Sequence, residues 1–118
     1  KDSGTRALLD KLLSDQNIAS DKINTCPEEE FTHTAVAAFV AAGMADVGFG
    51  VEAAARQFNL DFIPVTSEHY LMICHERSLK KEAVVQFLAQ LRSSAFHSKV
   101  AELAGYSAKK CGVIELLQ

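Results

Sequence analysis

The chain lacks a surplus of positive charge. Its 12 Lys and Arg are outnumbered by 15 Asp and Glu, for a net charge of -3. No basic field is available for nucleic acid, so direct nucleic-acid contact is not expected. The pairs Lys80-Lys81 and Lys109-Lys110 are short and read as solvated helix ends. No apolar run approaches the ~20 residues of a spanning helix, and membrane insertion is not expected. Cysteine is scarce. Cys26, Cys74 and Cys111 are odd in number, far apart and outside any CxxC or Cys/His cluster. A disulfide framework and a zinc site are therefore both disfavoured. Free, buried thiols are expected, which tilts the location toward a reducing cytoplasm over the periplasm. No leader is visible, but Lys1-Asp2-Ser3-Gly4 reads as the middle of something, so that absence decides nothing.

What is present is an ordinary globular composition, 48% hydrophobic and 23% charged over 118 residues. That is one domain by length, with enough apolar material for a core without staples. Ser3 or Thr5 caps a helix running to about Asn17, with Leu8, Leu9, Leu12 and Leu13 at helical spacing. Residues 21–25 suggest a short strand ended by Cys26-Pro27. A second helix starts near Thr32 or Thr34, fills its close contacts with alanine and stops at Gly43. Residues 45–49 read as a buried strand, and 51–58 as a short helix with Asn59 at its end. Residues 60–65 and 69–74 read as strands, with Pro64 placing the first at an edge or crossover. From Leu79 to about Arg92 the period is helical. Ser93 or Ser94 caps a further helix, stopped at Ala104-Gly105-Tyr106, and 112–117 suggest a last strand. Strands alternating with helices predict an α/β class with a mostly parallel sheet and flanking helices.

Three constellations could carry chemistry. Asp2-Ser3-Gly4-Thr5-Arg6 opens a helix. Free N–H groups, two hydroxyls, a glycine that admits a close ligand and a planar cation suit an oxyanion or carboxylate. Thr32-His33-Thr34 repeats the helix-start chemistry, with the His33 ring as an added donor. Asp46-Val47-Gly48-Phe49-Gly50 sets two glycines around an aromatic, as in a turn that passes near a ligand. It is not GxGxxG, so a dinucleotide site is not expected. In each case the plain alternative is a helix cap or an ordinary turn.

Catalysis has little support. In a strand, Cys74 and His75 would point to opposite faces and could not meet as nucleophile and base. Glu68-His69 has the same weakness. His97, between polar residues on a helix, is expected to be exposed. No catalytic residue, no metal ligand and no cofactor is predicted.

The chain also carries an ordered set of segments. Ser3-Gly4-Thr5-Arg6 with Leu8-Leu9-Asp10 comes first, followed by Thr32-His33-Thr34-Ala35-Val36-Ala37 and Ala42-Gly43-Met44-Ala45-Asp46-Val47-Gly48-Phe49-Gly50. Leu60-Asp61-Phe62-Ile63-Pro64-Val65 and Glu68-His69-Tyr70 come next, and Leu103-Ala104-Gly105-Tyr106 near the end. In that order they resemble the periplasmic-binding-protein-like domain of bacterial molybdate/tungstate-binding proteins. In that family the domain occurs as a secreted solute receptor, or fused to helix-turn-helix regulators or molybdopterin-synthesis proteins. The resemblance implies a type 2 binding-protein fold with two α/β lobes, a two-strand hinge and an oxyanion in the cleft. Residues 1 to about 60 would belong to the second lobe, about 61–69 to the hinge return, and about 70–118 to the first lobe. Most of the first lobe would precede Lys1, leaving that lobe incomplete and the chain truncated at its N-terminus. Ligand contacts would fall on Ser3, Gly4, Thr5 and Arg6, on Thr32 and His33, and more weakly on the turn at Phe49. The implied function is a small-oxyanion receptor or sensor, with molybdate or tungstate as ligand rather than cofactor. Exposed lobe or hinge surfaces would suit a homodimer. Two other readings stand beside it: a LysR-like effector domain that takes a small organic acid, and an interaction module without a ligand.

Overall fold

The computed structural model describes residues 3–117, so Asp2 of the first constellation lies outside it. The chain divides into two units, Lys1–Phe62 and Ile63–Gln118.

The first unit holds three α-helices. Helix α1 spans Gly4–Asp15, α2 spans His33–Ala41 and α3 spans Glu52–Gln57. Each begins where local chemistry allows. Ser3 and Thr32 are N-caps whose hydroxyls accept from the N–H of Arg6 and Ala35, at 3.1 and 3.0 Å. That satisfies one of the orphan donors every helix start leaves.

The three helices end by one device. Asn17, Gly43 and Asn59 all take positive φ, at 54°, 76° and 55°. The next residue then reaches back five positions: Ile18 N–H to Leu13 C=O at 2.8 Å, Met44 to Phe39 at 3.2 Å, Leu60 to Ala55 at 3.0 Å. These are Schellman caps, and an apolar residue follows the left-handed position in all three. After α1 the chain forms a 3-10 turn, Ser20–Lys22, in place of the strand expected at 21–25.

Helix α2 packs against α3. Among the described residues Ala37 and Ala54, one on each helix, are the buried hydrophobic side chains. Alanine permits close approach but buries little, with about 0.8 kcal/mol per methyl removed from water. The segment after α2 also lies against it. A Cβ on Gly48 would sit 2.7 Å from Val36 Cγ1 and 3.2 Å from Val40 Cγ2.

The second unit holds a 3-10 segment Glu76–Lys80, then α4 at Glu82–Arg92 and α5 at Ser94–Ala101. The helix expected from Leu79 therefore starts three residues later, after Lys81 in extended geometry (φ -67°, ψ 135°). Ser93 makes the corner between α4 and α5. Its hydroxyl donates to Gln90 C=O at 2.7 Å and accepts from Phe96 N–H at 3.1 Å. One side chain so closes one helix and opens the next. Arg92 Nε donates to Gly112 C=O at 2.8 Å and ties the tail of the unit to α4.

The α/β prediction is overturned. The chain is 47% helical and has no strand or sheet, a statement that holds for the described residues. The segments expected as strands, 45–49, 60–65, 69–74 and 112–117, are irregular or in turns. A strand exists only through lateral hydrogen bonds to a neighbour. Outside the helices, the backbone bonds of the described residues are all local turn and cap bonds. Apolar character alone did not supply a partner. Ile63, Leu71 and Ile73 are 82%, 81% and 84% exposed.

The thiols are free as expected but not buried. Cys26 and Cys74 are exposed and Cys111 is half-buried. Among the described residues no helix is long and apolar enough to cross a membrane.

Candidate functional site: two helix starts and a glycine turn

Both predicted helix starts exist, and each is part capped and part open. At α1, Ser3 Oγ takes the Arg6 N–H and Ser3 C=O takes the Ala7 N–H at 3.1 Å. The N–H groups of Gly4 and Thr5 have no intrahelical partner, as geometry requires at the first turn. A Cβ built on Gly4 would meet nothing within 4 Å. The backbone there is open to a ligand, and Thr5 beside it is half-buried.

Arg6 is arranged differently from the expectation. Its Nε donates to Asp10 Oδ1 at 3.1 Å, with both side chains about half exposed. Asp10 lies one turn toward the C-terminus, so the guanidinium is held along the helix and away from the Gly4 N–H. Sequence reasoning missed this pairing, although the four-residue spacing of opposite charges was its signal. The pair is weak. An exposed i,i+4 bridge contributes about 0.3–0.5 kcal/mol, whereas a charged hydrogen bond to a ligand contributes about 1.5–3 kcal/mol.

At α2, Thr32 Oγ1 takes the Ala35 N–H and Thr32 C=O takes the Val36 N–H at 3.1 Å. The N–H groups of His33 and Thr34 are the open pair. His33 is half-buried because the glycine turn lies on it: a Cβ on Gly50 would come 3.2 Å from His33 Nδ1. Gly48 and Gly50 both touch α2, so Phe49 between them is carried to the same helix and is half-buried. Thr32, His33 and the Phe49 turn are thus one locality. Among the described residues, no hydrogen bond or ion pair joins Ser3–Arg6 to it.

Charge in the sequence around this locality is mainly negative: Glu28, Glu29 and Glu30 run up to Thr32, and Asp46 precedes the glycine turn. Glu52 opens α3 just after the turn, but its carboxylate accepts from Arg56 Nη2 at 3.2 Å and Nε at 3.3 Å. A shallow, open depression lies along α1, lined by Arg6, Asp10, Leu13, Asn17 and Ile18 among others. It forms because the cap at Asn17 turns the chain back on the helix, a signal present in the sequence only as an Asn after the helical period.

The residues set aside as catalytic remain apart from any site. Cys74 and His75 are exposed in irregular chain. His97 is half-buried rather than exposed: its Nε2 is 3.0 Å from Leu91 C=O and its ring meets Phe96 edge to face at 6.5 Å. Among the described residues no group of three or more His, Cys, Asp or Glu could hold a metal ion.

The family match agrees with a binding role. The PBP superfamily domain matches residues 1–92, and the chain belongs to that family of periplasmic-binding-protein-like domains. Membership points to ligand binding as its role. The chain is 32% identical over 108 residues to the Uncharacterized protein in ferredoxin 2Fe-2S gene 5'region of Clostridium pasteurianum, covering 91% of this chain and 96% of that one. It is 29% identical over 116 residues to the Uncharacterized protein YvgK of Bacillus subtilis (strain 168), covering 98% of this chain but 37% of YvgK. No solved structure matches the chain.

Proposed function

We propose that the chain is a binding domain for a small oxyanion, acting as a receptor or sensor rather than an enzyme. Molybdate or tungstate is the leading ligand, on the strength of the resemblance in segments such as Ser3-Gly4-Thr5-Arg6 and Thr32-His33-Thr34. The observation that carries the reading is the start of α1. There the N–H groups of Gly4 and Thr5 are open, the space over Gly4 is empty, and Arg6 stands in the same first turn with its Nε on Asp10. Helix starts favour anions through those donors and the positive end of the helix dipole. The Thr32–His33 start with the Phe49 turn is the second donor set. Calorimetry with molybdate, tungstate and sulfate tests the reading: saturable heat with at least one supports it, and no heat with any of them rejects it. Arg6→Ala should weaken binding by about 1.5–3 kcal/mol, the range for a lost charged hydrogen bond. A transport receptor and a ligand-sensing regulator would use this anion site alike.

A self-associating role rests on a separate observation, the exposed apolar side chains of both units, such as Phe31 at 93% and Leu117 at 85%. Such surface invites association. Sedimentation over a concentration series tests it. A dimer supports a second copy as partner, and a monomer at all concentrations rejects it.

A further inference from the structure

We draw no further inference here: the strongest candidate, the exposed apolar run at residues 70–73 in the second unit, carries nothing because nothing in the structure shows what covers it.

Discussion

At Gly4 the demands of folding and of the proposed anion binding differ. Its Cβ position is empty and no positive φ is required of it. Alanine there should leave helicity unchanged or slightly raised, since alanine is the better helix former. An anion seated on the Gly4 N–H would nevertheless meet the new methyl. Gly4→Ala is therefore expected to keep the far-UV circular dichroism and lower anion affinity about tenfold, near 1.4 kcal/mol. Unchanged affinity would move the ligand off this helix start. Gly43 and Gly112 make the opposite pair of tests. Both sit at positive φ, 76° and 81°. Around Gly43 there is room for a Cβ, whereas at Gly112 it would overlap Arg92 Cγ. Gly43→Ala should cost about 1–2 kcal/mol from the left-handed backbone alone. Gly112→Ala should cost more, because the overlap also disturbs the Arg92 bond to its carbonyl. Urea unfolding followed at 222 nm compares the two, and equal losses would remove the Arg92 contact as a cause.

Helices in this chain are decided at their ends. Ser3, Thr32 and Ser93 each hold a hydroxyl on the backbone N–H three residues on. Thr32→Ala should lower the stability of the first unit by about 1 kcal/mol, and Thr32→Ser should restore it. The same change removes a hydroxyl from the proposed second donor set, and serine restores that too; Thr32→Asn, which caps without a hydroxyl, separates capping from hydroxyl contact with the ligand. At the other end, Asn59→Gly should hold the stop of α3 while Asn59→Val should fray it, because a β-branched residue resists positive φ. These ends were legible in the sequence because they are local. A Ser or Thr before a helical period and a Gly or Asn after it make the caps with no help from elsewhere. The helix start after Arg77 was misplaced by three residues because the Leu79 periodicity runs through a 3-10 segment without a break. The strands were misread for a physical reason. Residues 60–65 and 69–74 have strand-like composition, but a strand is a relation between two segments and composition reports only one. At the site, the donors at Ser3, Gly4, Thr32 and His33 were legible as helix-start chemistry. The Arg6–Asp10 pair and the contact of Gly50 with His33 depend on side-chain direction and on the path of the turn.

At the scale of the whole molecule the deciding quantity is surface. Much apolar surface lies in segments outside the helices, where Ile63, Tyr70, Met72 and Ile73 are 73–84% exposed. Backbone without local hydrogen bonds and with few buried contacts opens at low free energy. From Ile63 to Cys74 none of the described turn or cap bonds occurs; the next is Ser78 N–H to His75 C=O at 2.9 Å, at the entry to the 3-10 segment. Limited thermolysin digestion should therefore cut first within residues 63–75, at sites such as Leu71 or Ile73. Mass spectrometry would then find fragments that retain α1–α3 on one side and α4–α5 on the other. First cuts inside α2 or α4 would show that residues 63–75 are better protected in solution than their exposure implies. Saturating anion gives the same experiment a second use. A ligand held by the start of α1 stabilises by RT ln(1 + [L]/Kd), about 2.7 kcal/mol at a hundredfold excess over Kd. That protection should slow cleavage within the first unit and leave the rate at 63–75 nearly unchanged. A slowing at 63–75 of equal size would count against a ligand confined to that helix start.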